Sequence, residues 1–541
     1  MTPVSDLRAA VQNAAAALAN GGATKSPPTL ERPKQADHGD YATNAALVLA
    51  PVLKAPPREV AERLCGALRE SLGEALERVE VAGPGFLNLF LADPWYVDAL
   101  DWVLAAGEGY GGGGAAPALR VNIEFVSANP TGPLTAASGR HAAYGDALAR
   151  VLGFAGHTVA REYYFNDAGT QIEKLGESIR ARARGEDVPE GGYVGDYVSE
   201  LAAQIPGAAD MDARELARLG VELMFERIKA TLHAYRVEYD LFFNEAALHE
   251  GTPSAIERGI ERLSEHGHLY RSEGALWLRT TDFGDDKDRV IERSSGQTTY
   301  FAADVAYAEH KLERGFDLLV LPLGSDHHGY VARMKANMAA LGVDPDRLEI
   351  PILQFVHIVE GGARASMSKR RGEFITLDEL IGEIGVDATR YFMLSRSHDS
   401  TIDLDLDLAR SQSAENPVYY IQYAHARIAS VRRKAGEDRV ARAVAATGLD
   451  VDLHPSERAL VKKLLAFPEE IAEAAERRAP HRIAAYALDL AQVFTAFYRD
   501  CLVVGAEPAS LEDWRLRLSV VTQRTIACAL DLLGVEAPNE M

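Results

Sequence analysis

The chain has few cysteines and no long apolar run. Its three cysteines among 541 residues, Cys65, Cys501 and Cys528, form no C-x-x-C pair, so we expect neither a disulfide framework nor a protein-bound metal such as zinc. This cysteine usage fits a reducing cytoplasm. No apolar run approaches the roughly 18–20 residues of a membrane span, so we expect no membrane association.

Positive charge is also in short supply. The formal net charge is -22, from 79 acidic against 57 basic side chains. Net repulsion from phosphates argues against indiscriminate nucleic-acid binding, so any RNA contact must use local patches. What the chain does have is length and 47% hydrophobic content, which predict three or four domains with buried cores.

The residue pattern divides the chain into three parts. Residues 1–110 mix helix and strand patterns and begin with a capped helix over Ser5–Ala19. Four glycines, Gly111–Gly114, then predict a linker; a phosphate-cradling loop is the alternative, but the Lys-Ser/Thr of a P-loop does not follow. Residues 386–541 are almost wholly helical, and one buried stripe of a bundle is predicted at Ile483, Tyr486, Leu490, Val493 and Phe497.

The middle part, 115–385, alternates between strands and helices, which is typical of a parallel α/β sheet. A polar, helix-rich span at about 168–293 separates two halves and predicts an insertion into a split nucleotide-binding fold. The predicted elements are strand Val121–Val126, helix Ser138–Gly153 and strand His157–Phe165, then strand Asp317–Leu323, helix Val331–Leu341 and strand Leu348–His357.

One segment, Asn122–Asp146, joins an apolar strand to an amphipathic helix through the loop S-A-N-P-T-G-P-L. Such a strand-to-helix junction is a phosphate site, because a helix N-terminus offers free N–H groups. The segment closely resembles the first signature of class I arginyl-tRNA synthetases of the bacterial type, E-F-x-S-x-N-P-x-x-P-L followed by H-x-G-H. The resemblance implies ATP as a substrate, with contacts from Pro130, Thr131, Gly132, Pro133 and Gly139.

The tetrad departs from the family, because Thr135-Ala136-Ala137-Ser138 stands where H-x-G-H is found. In the family the two histidines donate hydrogen bonds to ATP phosphates. We expect the hydroxyls of Thr135 and Ser138 to donate instead, together with the helix amides. His141 is predicted to lie on the helix surface, with partial compensation for the lost histidines as the alternative.

A second motif, Ser366–Gly372, reads S-M-S-K-R-R-G and resembles the family's K-M-S-K-S loop. When a carboxylate attacks the α-phosphate and pyrophosphate leaves, the protein mainly supplies cationic stabilisation. Lys369 fits that role, although a lysine in a solvated loop is the alternative. The resemblance also implies catalysis by Ser368 and ATP contact by Met367.

A third motif, T-Y-F-A-A-D at Thr299–Asp304, places Tyr300 and Asp304 four residues apart, hence on one face of a helix. Carboxylates can meet a planar guanidinium bidentately. The resemblance implies that Glu124, Tyr300 and Asp304 hold the arginine side chain and that Asn129 contacts its α-amino group. Without the resemblance, Tyr300 and Asp304 would be an ordinary surface pair.

A fourth motif, Asp326-His327-His328-Gly329, follows a predicted strand. The carboxyl ends of parallel strands face the ligand crevice, so we expect Asp326 and His327 beside the nucleotide. Metal ligation and purely structural histidines are the alternatives. Any Mg²⁺ would arrive with ATP, held largely by phosphates and water.

Two further segments resemble the family's tRNA-binding parts. The string Glu415–Arg427 resembles the entry to the anticodon-binding bundle, where Tyr423 and Arg427 are predicted to stack on bases and contact phosphate, with core packing as the alternative. Near the N-terminus, Gly83–Asn88 resembles the family's added domain, which implies that Asn88 approaches the tRNA D-loop; stabilising a turn is its alternative role.

Together the motifs predict a monomeric enzyme that activates L-arginine with ATP, in a step that needs tRNA, and transfers arginine to tRNA(Arg). The predicted fold is a split Rossmann-like α/β catalytic domain between an α+β N-terminal domain and an all-α anticodon-binding bundle. A non-catalytic relative that binds tRNA or arginine, and another nucleotidyl transferase of the same superfamily, are the alternatives.

Overall fold

The computed structural model describes residues 2–33, 35–364 and 375–541. The N-terminal part packs helices against an antiparallel sheet of order β1-β2-β4-β3. Thr2 caps the first helix, since its hydroxyl accepts from the N–H of Ser5 at 3.0 Å. The elements are α1 (Pro3–Ala19), β1 (Leu30–Glu31), β2 (Tyr41–Thr43), α2 (Ala45–Leu53), α3 (Pro57–Leu72), β3 (Leu76–Ala82), β4 (Phe86–Leu91) and α4 (Asp93–Ala106).

The first half of the middle part begins the parallel sheet. Its elements are β5 (Arg120–Glu124), α5 (Ala136–Ala155), β6 (Thr158–Phe165), α6 (Thr170–Arg184), α7 (Asp196–Gln204), α8 (Ala213–Ala234), β7 (Leu241–Asn244), α9 (Ala255–Glu265), β8 (Leu269–Ser272), β9 (Ala275–Leu278) and β10 (Arg289–Glu292). β8 to β10 form a small antiparallel sheet of their own.

The second half completes the sheet and leads to the bundle. Its elements are α10 (Tyr300–Glu313), β11 (Leu318–Val320), β12 (Leu323–Gly324), α11 (Tyr330–Ala340), β13 (Leu348–Glu349), β14 (Ile352–Leu353), β15 (Val356–Glu360), β16 (Ala363–Arg364), α12 (Leu377–Leu394), β17 (Ile402–Asp405) and α13 (Leu406–Arg410). The strand order β13-β11-β5-β6-β7 is parallel throughout. From β5 the chain crosses through α5 to β6, while β11 lies on the other side of β5. Ligands bind outside the strand ends at such a reversal.

The C-terminal part is helical. Its elements are α14 (Pro417–Ala435), α15 (Glu437–Ala445), α16 (Pro455–Leu464), α17 (Phe467–Glu476), α18 (His481–Asp500) and α19 (Ala509–Leu532). In α18 the predicted stripe is buried at Ile483, Tyr486, Leu490 and Phe497, but Phe494 is buried in place of Val493. No helix within the described ranges is long and apolar enough to cross a bilayer.

The glycine run, predicted to be a linker, contains no helix or strand and joins the N-terminal part to the parallel sheet, but it is packed against neighbouring helices. The N–H of Gly113 donates to the carbonyl of Phe154 at 2.9 Å. A Cβ on Gly111 would lie 2.6 Å from the Phe467 ring, and one on Gly112 would lie 2.7 Å from the Phe154 carbonyl. Glycine is needed here because the backbone approaches α5 and α17 too closely for a side chain.

Two other boundaries differ from the sequence prediction. β7 pairs in parallel with β6, so the predicted insertion at about 168–293 is wrong in treating this whole span as separate from the sheet. A four-residue strand among helices is too short to give a clear pattern. After residue 385 the chain also supplies β17, which pairs in parallel with β15. The predicted strand Leu348–His357 is divided into β13, β14 and the start of β15.

Candidate active site

A cleft of about 690 Å³ opens outside the carboxyl ends of β5 and β11. It brings together residues from seven separate stretches of the sequence. Of the predicted residues it collects all four assigned to arginine and three assigned to ATP, which are Glu124, Asn129, Tyr300, Asp304, Ser138, Asp326 and His327. Its position is the crevice where the strand order reverses, as expected for a ligand site in such a sheet.

The inner end of the cleft is built around Glu124, the last residue of β5. Lys311 of α10 donates to its Oε2 at 2.5 Å. The Lys311 side chain is 6% exposed and that of Glu124 is 9% exposed. The hydroxyl of Ser127 donates to Oε1 at 3.1 Å. Two oxygens of one buried carboxylate are thus held by two different donors.

Backbone strain positions Ser127. Val126 and Ser127 have φ values of 68° and 44°, and a β-branched residue at positive φ is a true outlier. Such a conformation costs of order 1–3 kcal/mol and persists only where the surroundings enforce it. The bend returns the Ser127 hydroxyl to Glu124, and the N–H of Tyr164 donates to that hydroxyl at 3.1 Å.

Asp304 lies one turn along α10 from Tyr300, so the predicted helical spacing is confirmed. The hydroxyl of Tyr330 donates to its Oδ2. Burial, together with the negative charges of Glu124 and Glu245, raises the pKa of Asp304 to about 6 against the lowering effect of the Tyr330 hydrogen bond. Asp304 is therefore a second carboxylate that faces the cleft, and a cationic ligand would stabilise its ionised form.

Several cleft residues were missed by the sequence reasoning. Glu245 accepts from the hydroxyl of Tyr164 at 2.5 Å, and both line the cleft beside Tyr307 and Lys311. Tyr307 and Lys311 continue the spacing of Tyr300 and Asp304 along one helix face, and that periodicity could have found them. Glu245 and Tyr330 come from other elements, and no local sequence pattern predicts that they reach the cleft.

The mouth of the cleft is formed by Tyr300, which is 70% exposed. Asn129 is also exposed, and its side chain is fixed from two directions: its amide donates to Gln171 at 3.1 Å, and its carbonyl accepts from the N–H of Asn166 at 3.2 Å. Of the residues predicted to bind arginine, Tyr300 and Asn129 therefore lie on the rim of the cleft, whereas Glu124 lies at its floor.

The start of α5 is already partly occupied by protein contacts. The Thr135 hydroxyl oxygen accepts from the N–H of Ser138 at 3.3 Å and lies 3.2 Å from the Ser138 hydroxyl oxygen. The N–H of Ala136 donates to the carbonyl of Ile375 at 3.0 Å. Thr135 is the N-cap of the helix and is not among the described residues that line the cleft. Thr135 therefore acts as a cap, while Ala137 and Ser138 face the cleft. The expected phosphate contact by the Thr135 hydroxyl stays a prediction.

The remaining predicted ATP residues divide by position. Asp326 and His327 line the cleft and lie 3.4 Å apart (Oδ2 to Nε2). Among described residues, the cleft wall does not include Pro130, Thr131, Gly132, Pro133 or Gly139. The Thr131 carbonyl accepts from the Tyr197 hydroxyl at 2.9 Å, and a Cβ on Gly139 would lie 2.7 Å from the Leu377 side chain. Thr131 and Gly139 thus shape the loop and the α5–α12 contact. The assignment of the five residues to ATP stays a prediction.

His141 lines the cleft and does not lie on the solvent face of α5, so that expectation was wrong. Burial and the neighbouring charge of Arg140 lower the pKa of His141 to about 4, and a hydrogen bond to the Pro322 carbonyl opposes that shift. The imidazole is therefore neutral at neutral pH. The imidazole thus carries no positive charge in the ligand-free cleft, and its partial compensation for the lost histidines stays a prediction.

Arg140 ties α5 to the chain on both sides of the second motif. Its guanidinium donates to the carbonyls of Gln354 at 2.5 Å, Ser397 at 2.9 Å and Ser400 at 2.8 Å. Burial lowers its pKa to about 10. Predicted residues Met367, Ser368 and Lys369 lie outside the described residues.

The predicted RNA contacts differ in exposure. Tyr423 is 41% exposed, and the Arg427 guanidinium lies 4.7 Å from its ring centroid and 5.0 Å from that of Tyr498. Tyr419 stacks on Tyr423 at 6.1 Å. Asn88, in contrast, is 6% exposed within the middle of a β-sheet strand, which corrects both its expected RNA contact and its alternative role in a turn.

Three family models match the chain: the arginyl tRNA synthetase N-terminal domain over residues 5–91, the class I tRNA synthetase (R) catalytic domain over 217–428 and the DALR anticodon binding domain over 421–541. An arginine–tRNA ligase of Frankia alni is 48% identical, with 100% of both chains covered. The chain belongs to the arginyl-tRNA synthetase family.

Solved members of the arginyl-tRNA synthetase family have the same architecture. A putative arginyl-tRNA synthetase from Campylobacter jejuni matches with a TM-score of 0.77 and 34% identity, over 83% of this chain and 100% of that one. The Thermus thermophilus arginyl-tRNA synthetase matches with a TM-score of 0.76 and 25% identity, over 99% and 100%. The predicted family, fold class and enzyme class are confirmed.

Proposed function

We propose that the cleft catalyses both steps of arginine–tRNA ligation. The observation that carries the proposal is the convergence of Glu124, Asp304, Tyr300 and Asn129 with Ser138 and Asp326 on one cavity. In the first step the α-carboxylate of L-arginine attacks the α-phosphate of ATP, and the bond to pyrophosphate breaks. In the second, a ribose hydroxyl of the 3′-terminal adenosine of tRNA(Arg) attacks the arginyl carbonyl, and AMP leaves.

Arginine is bound with its guanidinium inward. Glu124 and Asp304 supply carboxylate oxygens in a partly dry site, where charge-assisted hydrogen bonds to a planar guanidinium are strong. Asn129 on the rim receives the α-amino group, and Tyr300 covers the aliphatic chain. This orientation turns the α-carboxylate toward Ser138 and the start of α5.

ATP occupies the part of the cleft between the start of α5 and Asp326-His327. The tetrad Thr-Ala-Ala-Ser acts without imidazoles: the Ser138 hydroxyl and the N–H of Ala137 donate to phosphate, while Thr135 holds the helix start. Developing charge on the phosphates needs a cation, and Lys369 of the second motif supplies it. Ser368 of the same motif takes part in catalysis, and Met367 contacts the nucleotide.

Mg²⁺ enters with ATP. Within the described ranges no group of three or more His, Cys, Asp or Glu side chains could hold a metal ion. A hard cation of this kind keeps several waters and takes phosphate oxygens as ligands. Its contribution is to neutralise phosphate charge.

The C-terminal bundle binds tRNA(Arg), and the family resemblance adds that tRNA is needed for activation. The ladder of Tyr419, Tyr423, Arg427 and Tyr498 offers stacking faces and a cation on the surface. The family resemblance favours a monomer, and the cysteine usage favours action in the cytoplasm.

Pyrophosphate exchange tests this proposal directly. ATP, tRNA(Arg) and each amino acid in turn are supplied, and exchange is expected with arginine alone. A folded preparation that binds tRNA or arginine but shows no exchange would instead identify a non-catalytic relative. Exchange with a different amino acid would refute the arginine pocket.

A further inference from the structure

We infer that Lys311 is a positioning residue for arginine recognition: it forms the floor of the pocket and holds Glu124 in the orientation that receives the guanidinium. This inference rests on the proposed function. Lys311 donates to Oε2 of Glu124 at 2.5 Å, and both side chains are buried at the inner end of the cleft.

The geometry of α10 shows why Lys311 lies at the floor. Tyr300, Asp304, Tyr307 and Lys311 follow one face of the helix, and all four line the cleft. At about 1.5 Å of rise per residue, Lys311 lies about 16 Å along the helix from Tyr300. The exposed end of this face is the mouth, so a ligand enters past Tyr300 and reaches Lys311 last.

Lys311 itself is fixed by its surroundings. Its ammonium lies 4.2 Å from the centroid of the Tyr307 ring, and the Tyr307 hydroxyl donates to Glu162 at 2.6 Å. Arg314 pairs with the same Glu162 at 2.8 Å. A buried ammonium that is held by an aromatic face and an ion pair has little freedom to leave.

The charges around Glu124 explain what the lysine does. The described carboxylates facing the cleft from other elements include Asp304 and Glu245, and they repel one another and Glu124. Lys311 places a positive charge against this cluster and holds one oxygen of Glu124, while Ser127 holds the second oxygen. Each oxygen retains a lone pair for the incoming guanidinium.

Replacing the lysine tests the inference. In Lys311→Met we expect the KM for arginine in pyrophosphate exchange to rise at least about tenfold, while the KM for ATP changes less than about twofold, because the variant removes a contact made only by the arginine pocket. The matched control is Lys335→Met, which removes a lysine paired with Asp346 at 3.2 Å on the surface of α11. It should leave both KM values unchanged.

A double-mutant cycle separates positioning from general packing. If Lys311 acts through Glu124, then Lys311→Met should add little in a Glu124→Gln background. An unchanged KM for arginine, or a full additional effect in the Glu124→Gln background, would overturn the inference. A lowered KM would also overturn it, because Lys311 would then compete with the substrate.

The wild-type protein distinguishes the two levels of failure. If it shows no arginine-dependent exchange, the proposed function itself fails. If it exchanges normally but Lys311→Met has the same arginine KM, only the role of Lys311 fails. Should Lys311→Met not fold, Lys311→Gln, which keeps length and polarity without the charge, gives the same comparison.

Discussion

The hydroxyl of Tyr330 and the carboxylate of Asp304 form a hydrogen bond across the cleft, from α11 to α10. Asp304 is therefore stabilised as an anion by one neighbour while burial and two carboxylates oppose its ionisation, with the net result that its pKa is raised to about 6. The ionised form, which pairs with a guanidinium, is lost as pH falls through that value.

We expect the KM for arginine to rise as pH falls below about 6, by up to about tenfold per pH unit, because a neutral Asp304 cannot form the ion pair. Steady-state exchange between pH 5 and 8 measures this, with the KM for ATP as the internal reference. In Asp304→Asn the arginine KM should be high at every pH. A parallel pH dependence in Asp304→Asn would assign the titration to another group.

The raised pKa of Asp304 also predicts how the stability of the fold depends on pH. Because the pKa is raised in the folded state, the stability associated with Asp304 is present at low pH and is lost as pH rises through about 6. At pH 8, Asp304→Asn should therefore melt at a higher temperature than the wild type without ligand. Arginine should raise the melting temperature of the wild type only. A lower melting temperature in the variant would contradict the direction of the shift.

The two hydroxyls at the start of α5 should have separable effects. Ser138→Ala is expected to lower exchange about tenfold with little loss of stability, since it removes one donor to phosphate. Thr135→Ala removes the N-cap and should cost about 1 kcal/mol of folding free energy. Exchange rates and urea unfolding measure the two effects. An unchanged rate in Ser138→Ala would eliminate its phosphate contact.

Gly145 and Gly153 provide a matched pair on α5. A Cβ on Gly145 would lie 2.2 Å from Cγ of Phe125, the residue after Glu124, whereas one on Gly153 meets nothing within 4 Å. Gly145→Ala should lose about 1–3 kcal/mol through overpacking and raise the arginine KM by displacing Glu124. Gly153→Ala should gain about 0.5–1 kcal/mol. Thermal melts and the KM for arginine compare the two variants. Equal melting temperatures and equal KM values would refute the tight contact between Gly145 and Phe125.

The aromatic ladder of α14 should matter for tRNA and not for the small substrates. Tyr423→Ala and Arg427→Ala are each expected to raise the KM for tRNA(Arg) in aminoacylation about tenfold, the loss of one stacking or cationic contact. Asn88→Ala serves as the contrasting variant, and because Asn88 is buried it should leave the tRNA KM unchanged. If only Asn88→Ala weakens tRNA binding, the N-terminal sheet is the RNA surface.

Sequence reasoning placed the local elements and the motif residues well, because helix start signals, strand alternation and family signatures are all local. Tyr300 and Asp304 were placed on one helix face by spacing alone. The floor of the pocket was missed: Lys311 follows that spacing, but Tyr330 and Glu245 reach the cleft only through the tertiary fold. Asn88 was misassigned because its burial depends on two neighbouring strands.

The tetrad shows a second limit. Thr135 and Ser138 were treated as equivalent donors because both carry hydroxyls. Their functions separate only once the helix start is known, since the capping position turns the Thr135 oxygen back onto the helix and leaves Ser138 facing the cleft. His141 lies one turn further on the same inward face, where sequence alone suggested solvent.

The start of α5 is joined to the start of α12 by the backbone itself: the N–H of Ala136 donates to Ile375 at 3.0 Å, and that of Leu377 donates to Leu134 at 2.8 Å. Peptide groups make these bonds whatever side chains they carry. The alignment between the start of α5 and the start of α12 therefore does not depend on which side chains the tetrad carries. A chain built in this way can exchange its signature side chains during evolution while the spacing that the chemistry depends on is inherited intact.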